Sequence, residues 1–160
     1  MDTNLSKDVI KKFGTDLRAV YRIKDGRYED VDFDTAQVTR RGKKERDLAL
    51  ALGVDNITQA IIHRLKTGYG EMTSLGHPDY GSRHNELIGE PNTEHNRRLV
   101  KLYILQALAK EPRIEKILRA DIRYDRRLDP SRVDIALDIK LGMINQVINF
   151  VLPFYFEVQT

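Results

Sequence analysis

Residues 144–158 read Ile-Asn-Gln-Val-Ile-Asn-Phe-Val-Leu-Pro-Phe-Tyr-Phe-Glu-Val, and this stretch decides the fold. It has the two-residue period of a strand, but apolar side chains occupy both phases, so both faces need cover. Pro153 cannot donate to a ladder and belongs on a sheet edge or at a bulge. An apolar edge strand invites pairing with another chain. The run therefore points to assembly by strand addition rather than to catalysis. The bland alternative is that helices cover one face and N-terminal strands the other.

Two more strand-like runs precede it. Leu118, Ala120, Ile122 and Tyr124 alternate with Arg119, Asp121, Arg123 and Asp125. Val133, Ile135, Leu137, Ile139 and Leu141 alternate with Asp134, Ala136, Asp138 and Lys140. Leu128-Asp129-Pro130-Ser131 supplies the turn between them, and the Gly142–Asn145 segment the turn before the last strand. Charge predicts the hairpin register. Pairing Arg123 with Asp134 and Arg119 with Asp138 also pairs Leu118 with Ile139 and Ile122 with Ile135. A shift of two residues either way opposes Asp121 to Asp134 or to Asp138. Opposite charges across a ladder contribute roughly 0.2–1 kcal/mol each, and like charges are destabilising.

Upstream the patterning turns helical. Glu94 to about Lys110 is a helix capped by Thr93 and ended by Pro112. Leu99, Leu102, Tyr103 and Gln106 form one stripe; Val100, Ile104, Ala107 and Leu108 widen it, which predicts burial on more than one side. A short helix spans Ser82 to Ile88 and stops at Gly89. Gly70 to Gly81 is a loop with defined turns. Ile57, Ala60, Ile61 and Leu65 share one face of a helix ending near Thr67-Gly68, with Asn56 as its cap and Gln59 completing a capping box. Leu48, Leu50 and Leu52 read as part of a helical segment ended by Gly53. Phe13 to Asp34 reads as short extended pieces around an Asp25-Gly26 turn. Residues 1 to about 12 are polar and expected to be mobile unless a partner fixes them.

The 160 residues suit one domain, flexible over 1–12, mainly helical over 46–110 and β-rich over 114–158. The fold class is α+β, with helices packed on a mostly antiparallel C-terminal sheet. Charged residues are 32% and hydrophobic ones 41%, a globular composition. Cysteine is absent, which removes disulfide and thiolate chemistry and fits assembly in a reducing cytoplasm. No apolar run has the length of a bilayer span, and the first residues lack the apolar core of a signal peptide. Net charge is +3, from 27 basic and 24 acidic residues. The densest basic cluster, Arg40 to Arg46, lacks interleaved aromatics and reads as a solvated or protein-binding loop rather than a nucleic-acid module.

Chemical motifs are sparse. His63, His77, His84 and His95 show no metal-ligand spacing, so neither a metal nor a cofactor is expected. The glycine loop matches neither a P-loop nor a dinucleotide fingerprint, and no nucleophile elbow occurs. Glycoside hydrolysis needs two carboxylates, one with a raised pKa. Glu71, Asp79, Glu86, Glu90 and Glu111 are the candidates. Glu86 and Glu90 read as helix surface, and Glu111 beside Arg113 as an ion-paired corner, so no catalytic residue is assigned.

Several motifs together resemble one family. They are Asn56-Ile57-Thr58-Gln59-Ala60-Ile61, Arg64-Leu65-Lys66-Thr67, Gly70-Glu71, His77-Pro78-Asp79-Tyr80-Gly81-Ser82, Glu111-Pro112-Arg113, and the β-rich tail from Val133-Asp134-Ile135. In this order they resemble the baseplate wedge, or sheath-initiator, family of contractile phage tails and phage-tail-like injection systems, historically called acidic lysozymes. The likeness runs over about residues 15 to 158. It implies a non-catalytic structural protein, in about six copies per ring, assembled in the cytoplasm and resident in the baseplate of a virion or tail-like particle. It implies partners in the sheath protein and other wedge proteins, with tube or hub proteins as further candidates. Neither membrane nor nucleic acid is expected. The C-terminal sheet resembles the interlocking domain of the sheath protein, where donated strands complete one sheet. Docking then falls on Val147, Ile148, Asn149, Phe150, Val151, Phe154 and Phe156. Glu111, Pro112 and Arg113 are expected to contact the helical core bundle of the wedge. Family members more often carry an apolar residue near position 84, where this chain has His84. The alternatives are a peptidoglycan-degrading lysozyme-like enzyme and a nucleic-acid-binding adaptor.

Overall fold

The structure, a computed structural model, describes residues 10–157 except 12, 25, 26, 143 and 145, with the backbone alone over 21–32. The Asp25-Gly26 turn, most of the N-terminal dozen, and Met143 and Asn145 of the last turn lie outside the described residues. The chain is α+β and divides into two compact units, residues 1–60 and 61–160.

In the first unit the strands are β1 (Thr15–Leu17), β2 (Ala19–Lys24), β3 (Arg27–Phe33), β4 (Thr35–Arg40), β5 (Lys43–Leu48) and β6 (Leu50–Leu52). They pair antiparallel as β1–β6, β2–β3 and β4–β5. The three ladders meet at a ring of backbone bonds. Arg18 N–H donates to Ala49 O, Ala49 N–H to Asp34 O, and Asp34 N–H to Arg18 O, each at 2.8 Å. Two hairpin arms thus branch from one short ladder. The helical reading of Leu48, Leu50 and Leu52 is overturned. They alternate with Ala49 and Ala51, which are 7% and 1% exposed, while Leu48 and Leu50 are the exposed pair. Period two decided the structure, with alanines rather than leucines on the buried phase.

Helix α1 (Val54–Lys66) starts two residues before the expected cap. Asn56 and Gln59 form no capping box. Both are buried, and they clamp distant backbone. Asn56 donates to Phe13 O at 2.8 Å. Gln59 donates to Leu17 O at 2.7 Å and accepts from Ala19 N–H at 2.9 Å. The amides satisfy strand-end groups that would otherwise be buried without partners.

In the second unit, the glycine loop closes on itself through a parallel bridge between Gly68 and Ser82. A five-residue 3-10 turn, Arg83–Leu87, follows. Helix α2 (Glu94–Ala109) is capped by Thr93, whose hydroxyl accepts from Asn96 N–H at 3.1 Å. Its buried residues are Val100, Ile104, Ala107 and Leu108, while Leu102 is 46% exposed. The helix is therefore buried along the second stripe, not on two sides.

The sheet has order β7-β8-β9, formed by β7 (Ile114–Arg123), β8 (Arg132–Leu141) and β9 (Val147–Tyr155). Every apolar odd-numbered residue of β8 from Val133 to Leu141 is at most 1% exposed. Opposite them on β9 lie Phe154, Leu152, Phe150 and Ile148. Near the hairpin turn, Arg123 faces Asp134, Ile122 faces Ile135 and Arg119 faces Asp138. The register then slips at two bulges, so Ile117 rather than Leu118 faces Ile139. The slip returns Ile117 and Ile114 to the core side and leaves Leu118 half exposed. It also opposes Lys116 to Lys140, and Lys140 bonds Glu115 at 2.7 Å instead. Among the described residues, Arg119 and Asp138, and Arg123 and Asp134, face each other without an ion pair; the arginine–aspartate pairs here run along the strands, Arg119 to Asp121 at 2.5 Å and Arg132 to Asp134 at 2.9 Å.

Candidate functional site

Strand β9 pairs with β8 without interruption and forms one edge of the sheet. At its ends, Leu141 N–H donates to Gln146 O and Phe156 N–H donates to Ser131 O. Antiparallel ladders alternate, so even-numbered residues of β9 turn their N–H and C=O groups toward β8. Val147, Asn149, Val151 and Pro153 turn theirs to the other side. Pro153 is tolerated there because the donor it lacks would not have bonded β8. Side chains divide in the same way. Phe150, Leu152 and Phe154 are buried, while Val147 and Val151 are 44% and 45% exposed and Asn149 is exposed. Of the seven residues expected at a docked strand, Phe150, Phe154 and Phe156 are core, and Ile148 is half-buried. Val147, Asn149 and Val151 form the outward face.

The Glu-Pro-Arg corner is a buried charge cluster. Glu111, 4% exposed, accepts from Arg113 Nε at 2.5 Å and lies 3.5 Å from Arg64 Nη2. The Arg64 guanidinium stacks over the Tyr80 ring at 4.5 Å. Burial pushes the Glu111 carboxyl up, but the hydrogen bond and charge of Arg113, with help from Arg64, outweigh it and hold the pKa below its ordinary value. Pro112 is exposed and Arg113 half-buried, so these two, not Glu111, can reach a partner. Sequence reasoning gives Arg64 no role at this corner. The available signal is its position three residues after Ile61, a charge on the apolar stripe of α1.

The loop beside this corner is held by its own side chains. Glu71 accepts from Gly68 N–H at 2.8 Å. Asp79 accepts from the Tyr69 hydroxyl at 2.9 Å and from Lys110 at 3.3 Å. A cavity of about 500 Å³ opens among Tyr69, Arg83, Tyr103, Gln106 and Lys110. Its two cations lie over its two rings, Arg83 over Tyr103 at 5.1 Å and Lys110 over Tyr69 at 4.9 Å.

Three of the five candidate acids are held toward their charged form. Asp79 is held below its usual range by hydrogen bonds from Tyr69 and Lys110, and Glu86 by its hydrogen bond with Arg83. Glu111 is lowered too. A general acid needs the opposite shift. Among the described residues no cluster of three or more His, Asp or Glu could hold a metal ion.

His84 takes an apolar role. It is 4% exposed, packs edge-on against Phe154 with centroids 5.6 Å apart, and places Nδ1 2.8 Å from the Ser82 hydroxyl. A neutral imidazole thus fills a site suited to an apolar side chain, and the 3-10 turn forms. Burial pushes its pKa from 6.5 down to about 4. The folded value lies below the unfolded one, so the unfolded chain binds more protons between them. Stability is fully present above pH 6.5 and falls as the pH drops toward 4, by about 1.4 kcal/mol per unit and roughly 3 kcal/mol in all. Denaturant midpoints from pH 7 to pH 4 should show this loss, and His84→Phe should flatten it.

No protein-family model and no curated protein sequence matches the chain. Among solved structures, it is similar to a crystal structure from Geobacter sulfurreducens that is described, provisionally, as a tail lysozyme. The TM-score is 0.55 at 22% identity, over 66% of this chain and 93% of that one. At that identity the likeness is one of fold.

Proposed function

We propose that this chain is a structural, non-catalytic component of a contractile-tail baseplate that binds other wedge proteins and templates sheath assembly by strand addition at β9. The observation that carries the reading is the outer edge of β9, where the ladder groups of Val147 and Asn149 point away from β8 and both side chains are exposed. An added strand would gain affinity from main-chain bonds and register from alternate side chains. The tail-related description of the Geobacter protein with this fold agrees with that setting. Its lysozyme description offers cell-wall hydrolysis as a second reading, against which the lowered pKa values of Asp79, Glu86 and Glu111 argue.

The alternation of β9 supplies the test. Asn149→Pro removes a donor that faces away from β8 and leaves the β8–β9 ladder whole. Ile148→Pro removes a donor that faces β8 and damages the sheet itself. We expect the Asn149→Pro protein to keep its thermal midpoint within a few degrees while sheathed particles fall at least tenfold, counted by electron microscopy. Normal sheathed particles from that variant would overturn the proposal. Clearing of purified cell walls, lost on Glu71→Gln or Glu86→Gln, would favour the hydrolase.

A further inference from the structure

The β4–β5 arm has two unlike faces. Its turn is Arg41-Gly42, both with positive φ, at 49° and 78°, which is the two-residue hairpin turn that suits strand twist. The segment Arg40 to Arg46 is thus the tip of a hairpin, not a loop. The register is unbroken from Thr35 opposite Leu48 to Arg40 opposite Lys43. One face carries Ala36, Val38, Arg40, Lys43, Glu45 and Asp47. It is charge-balanced, Arg40 is paired with Asp47, and Ala36, Val38 and Asp47 are half-buried. The other face carries Thr35, Gln37, Thr39, Lys44, Arg46 and Leu48, and all six are exposed. It holds no acid, and among the described residues neither Lys44 nor Arg46 makes an ion pair.

We infer that this second face docks on a carboxylate-lined protein surface. Lys44 and Arg46 sit two residues apart on one strand, roughly 6.5–7 Å, a spacing that acids on a facing strand or on successive helical turns can match. Thr35, Gln37 and Thr39 supply neutral hydrogen-bonding groups across the ladder, and Leu48 an apolar contact at the base. A nucleic acid fits less well. This face offers a duplex only two cations for phosphates, Lys44 and Arg46, few for an affinity that rests on counterion release. The arm also carries no aromatic residue on which a base could stack. The inference stands apart from the proposed role of β9 and does not require it.

The test is binding of the full chain to labelled poly-L-glutamate and to a 20-base-pair DNA duplex, by fluorescence anisotropy at 50 and 200 mM salt. Two double variants remove the same charge: Lys44→Gln/Arg46→Gln on the arm and Arg126→Gln/Arg127→Gln at an exposed turn of the second unit. All four residues are exposed, so thermal midpoints should not move. We expect polyglutamate affinity to fall at least tenfold with the arm variant and less than twofold with the other. Equal losses would overturn the inference as mere net charge, and so would an absence of polyglutamate binding. Tighter binding to the duplex than to polyglutamate, lost with the arm variant, would overturn it in favour of nucleic acid.

Discussion

Glu111→Ala is expected to destabilise the protein by roughly 3–5 kcal/mol, read from chemical denaturation at pH 7. The cost arises less from the lost pair than from what remains. Arg64 is 9% exposed, and its Nε already has no hydrogen-bond partner among the described residues. Without the carboxylate its charge would stay buried and uncompensated. Arg113 can turn toward water, because its side chain is 24% exposed. Glu111→Gln should cost less, since the amide keeps the shape and an acceptor. Arg64→Met with Glu111→Leu should recover most of the loss, because a buried ion pair replaced by apolar groups of similar volume is often neutral. pH gives a second reading. The folded pKa of Glu111 lies below its unfolded value of 4.5, so its contribution is present above pH 4.5 and is lost as the pH falls through the folded pKa. The Gln variant should lack that part of the acid transition.

Gly81→Ala should cost at least about 3 kcal/mol, more than any other glycine substitution in the loop. Two causes add. Gly81 has φ of 98°, which L side chains rarely adopt. A Cβ there would also lie 2.3 Å from Gly68 O and 2.7 Å from both Gly68 C and Thr67 O, all of them backbone atoms. These atoms cannot swing aside as a side chain can. The bridge they belong to, with Ser82 N–H on Thr67 O at 2.9 Å and Tyr69 N–H on Ser82 O at 3.2 Å, would have to open. Gly89 separates the two causes. Its φ is 95°, and a Cβ there would meet nothing within 4 Å, so Gly89→Ala should cost only the backbone strain, about 1–3 kcal/mol. Thermal midpoints of the two variants measure the difference, and equal midpoints would show that the close approach at Gly81 is of no consequence.

What the sequence revealed follows from where its signals are local. Period two in 132–141 and 147–155 located β8 and β9, and Pro153 placed the latter at an edge. Charge located the register near the turn, from Arg123 to Arg119, but not beyond it. There, burial of Ile117 and Ile114 outweighed the modest energy of matched charges, and no pairing rule signals a bulge in advance. Phe13 to Asp34 reads as extended pieces and holds β1, β2 and β3, whereas the strands that follow it were illegible for a different reason. The strands over 35–52 are short and mostly exposed, and small alanines mark the buried phase, so the apolar pattern that betrays a half-buried strand is missing there. Asn56 and Gln59 imitate a helix cap because the same amides that close a helix end can also reach a strand some 40 residues away in the chain. At the candidate site, the Glu111–Arg113 pairing could be read from adjacency, whereas Arg64 and Tyr80 join it only through the fold.

The ring joining Arg18, Asp34 and Ala49 uses main-chain atoms alone, each residue giving one N–H and taking one at its C=O. Such a socket is indifferent to side chains; proline alone is barred from its three positions. Either hairpin can then lengthen, shorten or be exchanged by matched changes in its two strands, leaving the socket intact. A lineage carrying this junction could swap its recognition arms as cassettes, and an engineer could graft a foreign hairpin between residues 34 and 49 by the same rule.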